Sequence, residues 1–241
     1  MAELVPYVMF GHSRILGNLM QLIDLAGGVL TRIVQNVPEE HRPGSPDLAT
    51  RLAQFEDPAW NPRGVNHGHH VDVVSLDDFE PGVGEAYVVG FTGRKMEHLV
   101  RTVTRRFGIV FEPLVHPRAH VTPTARIGRG CIVMADADLE SGVTVGAHTF
   151  VNMKAMVGHD VTVGDYAVIG PGTLIGGNAL IGAGAFLGIG SIILEDRRVG
   201  EDAVVAAGAV VRQDIEPGTM VAGVPAVVKR RAETAVRRIG S

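Results

Sequence analysis

The chain has 241 residues, of which 46% are hydrophobic, 20% charged and 5% aromatic, and its formal net charge is −4. That composition describes a soluble protein of one large or two modest domains, and the weakly negative balance gives no basis for a nucleic acid or an anionic membrane as partner. Met1 to Phe10 lacks a basic stretch followed by a long apolar one, and no run approaches the ~20 apolar residues of a membrane span, so no leader or anchor is read and a cytoplasmic location is expected.

In chain order, Tyr7 to Phe10 predicts a short apolar strand. Ile15, Leu16, Leu19, Met20, Leu22 and Ile23 follow at helical spacing and stop at Gly27 and Gly28; Val29 to Val34 predicts a second strand. Residues 35–70 carry five prolines and four histidines without periodicity and predict a loop or insertion. Tyr87 to Val89 and Ile109 to Phe111 flank a helix around Leu99, Val100 and Val103, so residues 1–112 read as a small α/β domain with a loop-rich insertion.

From residue 113 the pattern changes. Seventeen aliphatic residues recur every six positions without exception from Val115 to Val211, glycine often follows them (Gly128, Gly146, Gly158, Gly164), and small residues such as Ala119, Cys131, Thr149 and Ala167 fill the fifth place. A period of six fits neither a lone helix nor a two-sided strand. It fits a coil of three short strands per turn, a parallel β-helix of hexapeptide repeats over residues 113–241 with a C-terminal extension. At about 4.8 Å per turn the repeats build a prism roughly 27 Å long. Its internal aliphatics contribute about 1.5 to 3 kcal/mol each before chain entropy is subtracted. Cys131 lies in the small inward register and reads as a buried, inert thiol. The period breaks at Glu216, Pro217 and Gly218; Lys229, Arg230, Arg231, Arg237 and Arg238 then form a basic end that suits either a solvated helix face or contact with a cofactor phosphate.

Few residues stand out for chemistry. His159 and Asp160 occupy the two variable positions after Val157-Gly158, where side chains point out of the prism, and a carboxylate beside an imidazole can fix its tautomer. By itself the pair reads either as plain surface or as a general base. Gly11, His12 and Ser13 follow the first strand and open the first helix, which suits either an ordinary turn or a phosphate cradle. His67-Gly68-His69-His70 has no Cys or acidic partner at fixed spacing and reads as loop; no metal is expected. The spacings among His116, His120, His148 and His159 contain no multiple of eighteen, so the repeat does not stack them on one face as ligands.

The stretch Asn152-Met153-Lys154-Ala155-Met156-Val157-Gly158-His159-Asp160 with Val163-Gly164-Asp165-Tyr166 resembles the active-site turn of bacterial sugar acyltransferases of the sialic acid O-acetyltransferase family. That family includes N-acetyltransferases of nucleotide-linked 4-amino-4,6-dideoxy sugars. The similarity continues through Leu174 to Asn178, Phe186 to Gly190, Ala206 to Ala209 and Val221 to Ala226, and covers roughly residues 113–228.

The resemblance implies a left-handed coil, against the usual right-handed crossover. It implies a Rossmann-like first domain that binds a nucleotide sugar, acetyl-CoA as co-substrate, and a homotrimer. His159 falls on the family's general base and Asp160 on the adjoining acid that raises its basicity. Gly177, Ile189, Ala207 and Gly208 fall on the acetyl-CoA groove, and Val168 on a position near the thioester where relatives often carry a second histidine. Gly11, His12 and Ser13 fall on a nucleotide loop that is usually richer in glycine. N-acetylation of a nucleotide amino sugar is the expected reaction, with sugar O-acetylation as the alternative. A metal-dependent hydratase and a non-catalytic scaffold are the remaining readings.

Overall fold

The computed structural model describes residues 3–35 and 46–231. Four parallel strands open the chain: β1 (Val5–Phe10), β2 (Gly28–Gln35), β3 (Asp72–Ser75) and β4 (Ala86–Val89), in the order β3-β2-β1-β4. The sequence strands at Tyr7 and Val29 are both present. β3 escaped prediction because it is an edge strand with largely exposed side chains, so no buried alternation marks it.

Helix α1 (Leu16–Leu25) covers one face of this sheet and α3 (Met96–Phe107) the other. Val8, Phe10 and Val34 point toward α3, and Met9, Leu30 and Ile33 toward α1, the period-two alternation of strands buried on both faces. Ile109 to Phe111 is not a strand. Ile109 and Phe111 are buried there by packing against α3, with no ladder partner for the backbone.

The segment expected as loop contains a helix, α2 (Leu48–Glu56), capped by Asp47, whose side chain accepts from the N–H of Thr50. Leu48 and Leu52 are buried against the α1 side of the sheet, and Phe55 fills the space above Gly17. A short helical turn at Val65–Gly68 follows; Asn66, 1% exposed, donates to the carbonyl of Leu30 and accepts from its N–H. Two apolar anchors on one helix were too few for periodicity to reveal it. Residues 36–45 of that stretch, and Arg237 and Arg238 of the basic end, lie outside the described residues.

Among the described residues, seventeen two-residue strands, β5 (Leu114–Val115) through β21 (Val210–Val211), wind into a parallel coil. The second residue of each is the repeat aliphatic. It points inward, as Val133, Val151, Ile169 and Leu187 do at 0% exposure. The seventeen divide among three faces as six, six and five, with partners one turn apart in strict register, such as Val157 with Ile175, and two later strands make the first face eight-stranded. The largest face is completed by β22 (Thr219–Ala222) and the antiparallel β23 (Val227–Arg231), which contains Lys229, Arg230 and Arg231.

The outward side of the eight-stranded face is apolar in its first turns. Leu114, Ile132, Phe150 and Val168 join the cluster of Met9, Leu16 and Leu19, so the α/β part is seated on the coil through a shared core. On the other side of the sheet, Tyr166 packs against the α3 cluster, and its ring stacks on His148 at 5.3 Å.

Candidate active site

The corners of the coil are four-residue turns whose fourth repeat position takes a left-handed backbone: Asp160 (φ 58°), Asn178 (φ 59°) and Asp196 (φ 58°) share one corner. Asp and Asn tolerate this conformation better than other side chains, which explains their recurrence there. His159 precedes Asp160 at the corner between β12 (Met156–Val157) and β13 (Thr162–Val163), where the six- and five-stranded faces meet.

Both side chains are open to solvent, His159 at 61% and Asp160 at 65%. His159 Nδ1 lies 3.1 Å from Asp160 Oδ2. With the Nδ1 proton donated to that carboxylate, Nε2 is left as a proton acceptor. The turns above and below make room for the pair. A Cβ on Gly177, one turn later, would lie 2.6 Å from the imidazole Cε1, and a Cβ on Gly142, one turn earlier, would collide with Asp160 Oδ1. Gly142 went unnoticed in the sequence because it does not follow an aliphatic mark. Its signal is the eighteen-residue spacing from Asp160.

The other expected cofactor residues sit elsewhere. Ile189, 63% exposed, is stacked below Ala207 and Gly208 at the corner between the eight- and six-stranded faces, and Gly208 N–H donates to the Ile189 carbonyl at 2.8 Å. Gly177 and this second corner therefore border the six-stranded face from opposite edges. Between them, Met156 and Leu174 project outward at 38% and 39% exposure. That strip combines apolar side chains, Ile189 among them, with the small corner residues Gly177, Ala207 and Gly208, which suits a long, thin, partly apolar ligand arm.

Val168 does not join them. It lies half a coil turn from His159, on the eight-stranded face, 8% exposed and sealed in the core shared with the α/β part. Within one chain, Val168 therefore lines no groove beside His159.

Gly11, His12 and Ser13 stand at the carboxyl end of β1, between β2 and β4, where the strand order reverses and open α/β sheets take their ligands. Gly11 (φ 65°) turns the chain, with its N–H on the carbonyl of Val34 at 2.8 Å. Gly90, just after β4, comes so close that a Cβ would sit 2.9 Å from His12 Cα, so the loops after β1 and β4 pack directly against each other. Helix α1 starts there without a side-chain cap. Arg51 of α2 donates to the Ser13 carbonyl at 3.0 Å, which places a guanidinium beside the loop after β1 from the segment read as loop.

The remaining histidines are dispersed. His70 pairs with Glu56 at 2.6 Å, and His120 with Asp138 at 2.7 Å, which raises the His120 pKa. His148 is buried and its pKa is lowered by desolvation. Among the described residues no three His, Cys, Asp or Glu side chains are grouped to hold a metal ion. The Cys131 thiol is buried, 2.9 Å from the Gly146 carbonyl, and burial pushes its pKa up to about 11, so it is no nucleophile near neutral pH.

Residues 142–177 and 178–213 match the family described as Bacterial transferase hexapeptide (six repeats). No curated protein sequence matches the chain significantly. Several solved structures share its fold. A single-residue mutant of perosamine N-acetyltransferase from Caulobacter crescentus, in complex with CoA and GDP-perosamine, superposes with a TM-score of 0.74 at 23% identity, over 93% of this chain and 97% of that one. The acetyltransferase domain of PglB from Neisseria gonorrhoeae, in complex with acetyl coenzyme A, gives 0.72 at 24% identity, over 94% and 100%. WeeI from Acinetobacter baumannii gives 0.72 at 20%, over 93% and 99%. The chain thus carries hexapeptide repeats and has the fold of these proteins, an α/β unit followed by a left-handed β-helix.

Proposed function

We propose that this chain transfers the acetyl group of acetyl-CoA to the amine of a nucleotide-linked amino sugar of the 4-amino-4,6-dideoxy class. The single observation that carries the reading is the His159–Asp160 pair at an exposed corner, with Nδ1 engaged and Nε2 beside the space left by Gly177. Two similar structures hold CoA with a GDP-linked amino sugar, or acetyl coenzyme A, which supports both substrates.

In this mechanism His159 Nε2 accepts a proton from the sugar amine as nitrogen attacks the thioester carbonyl carbon. Asp160 steadies the imidazolium that forms, and backbone N–H groups of the coil stabilise the oxyanion. The C–S bond then breaks, and the proton returns to the departing thiolate to give CoA thiol and an N-acetyl sugar. Gly177, Ile189, Ala207 and Gly208 hold the acetyl-CoA arm, and Gly11, His12 and Ser13 hold the nucleotide diphosphate.

These residues do not converge within one chain: the two corners flank a face, and Val168 lies on another. A homotrimer packed about the six-stranded faces brings the Gly177 corner of one copy beside the Ile189 corner of a neighbour and buries the exposed Met156 and Leu174 strip, while Val168, sealed in the core of its own chain, stays outside the site. We place this activity in the cytoplasm, where acetyl-CoA is made; no described helix is long and apolar enough to cross a membrane.

The test is incubation with acetyl-CoA and a panel of nucleotide amino sugars, following free thiol and product mass. A gain of one acetyl group on the amine is the expected result. Thiol release without an acetylated sugar, or acetylation at a hydroxyl only, refutes the acceptor assignment.

A further inference from the structure

The loop after β4, residues 90–95, borders the proposed nucleotide site beside Gly11 and His12, and the Arg94 guanidinium ties it to the coil. Arg94 Nε donates to Asp202 Oδ1 at 2.9 Å and Nη2 to Asp202 Oδ2 at 3.1 Å; Nη2 also pairs with Glu201, and Nη1 lies 3.2 Å from Glu97 Oε2 at the start of α3. Glu201 and Asp202 sit on the coil, at the corner between the five- and eight-stranded faces. Gly184, one turn before Asp202, has no side chain to block the approach: a Cβ there would come 2.8 Å from Arg94 Nε.

Exposed ion pairs contribute little to stability one at a time, and Arg94 is 35% exposed, so three carboxylates around one side chain are poorly explained by stability alone. A planar fork held by both oxygens of Asp202 fixes direction as well as distance. The same loop reaches the loop after β1, because Gly90 abuts Gly11 and His12, and its Gly93 faces Val168 on the coil. Misplacement of a reacting group by about 1 Å can cost on the order of a hundredfold in rate, so the registry of nucleotide site and coil matters to a two-substrate transfer.

We infer that Arg94 is a positioning residue that locks the nucleotide-sugar site in register with the coil carrying the catalytic corner. The inference rests on the acetyltransfer reading given above. It assigns Arg94 no contact with either substrate.

The experiment uses the full chain as Arg94→Met and as Arg94→Lys. Arg94→Met is expected to raise KM for the nucleotide amino sugar, or lower kcat, by about tenfold, while KM for acetyl-CoA stays unchanged. Arg94→Lys should recover part of the loss. Amide hydrogen exchange of residues 90–95 should accelerate in Arg94→Met while exchange in the coil interior stays the same. Unchanged kinetics together with unchanged exchange in that loop overturns the inference, and so does an equal loss for both substrates with no recovery in Arg94→Lys. Absence of transfer by the unsubstituted protein would refute the acetyltransfer reading instead. Loop exchange in the same variants would then still report whether Arg94 holds the loop to the coil.

Discussion

Gly177 stands one coil turn after His159, and the imidazole occupies the space that any side chain at 177 would need. The relationship couples a residue without functional groups to the one proposed to move a proton. Gly177 has no positive φ, so alanine is tolerated by the backbone, and the collision is with the mobile end of a side chain. Gly177→Ala is therefore expected to leave the melting temperature nearly unchanged while swinging the ring off its Asp160 partner, lowering kcat by about tenfold or more. Steady-state kinetics with a thermal melt check this; full activity with the methyl group in place would show that the observed ring position is not the working one.

His159→Ala is expected to lower kcat by about a hundredfold or more with acetyl-CoA affinity nearly intact, because general-base help is worth about 10² to 10⁴-fold and the base does not bind the cofactor. Asp160→Asn keeps a residue type that tolerates φ 58° but removes the charge, so its loss should be smaller than that of His159→Ala. Equal kcat in all three proteins would remove the pair from the mechanism.

Leu174 projects from the centre of the six-stranded face at 39% exposure, beside Met156 at 38%. Leu174→Arg places one charge from each copy at the proposed trimer interface, where like charges repel and desolvation is costly. Sedimentation should change from trimer to monomer at micromolar concentration, with activity lost in parallel. A monomeric parent protein contradicts the assembly directly.

His148 connects the fold to pH. Burial against Tyr166 and Phe111 lowers its pKa from 6.5, with Asp165 opposing that shift. Well above pH 6.5 folded and unfolded chains both carry neutral imidazole, and nothing is lost. As pH falls below about 6.5 the unfolded chain takes up a proton that the folded chain refuses, so stability declines. Asn accepts the left-handed backbone at this position (φ 56°) and does not titrate there, so His148→Asn should flatten the decline between about pH 6.5 and 5. Melting curves across that range decide it: a parallel decline in both proteins assigns the acid sensitivity to other groups.

The hexapeptide register was wholly legible in the sequence, because each aliphatic has only one inward place in a coil and a single slip would expose it. The outward projection of His159 and Asp160 followed from the same count. Strands β1, β2 and β4 and helices α1 and α3 were legible for a similar reason, since alternation and helical spacing are local. Helix α2 was not. Its stability comes from two leucines and Phe55 meeting distant partners, and no short-range pattern encodes a partner. Edge strand β3 was equally silent, since exposed side chains leave no apolar alternation.

Sequence by itself determined the coil, its length and the corner that carries the imidazole, because the periodicity of side-chain burial is a property of the chain. Only tertiary structure decided which corners border the same face, that Val168 is sealed beneath the α/β part, and that Gly142 and Gly177 leave room for Asp160 and His159. It likewise brought Arg94 to Glu201 and Asp202, more than a hundred residues away. Those relations depend on how turns stack and how two folded parts meet, distances that are set by packing rather than by neighbours along the chain.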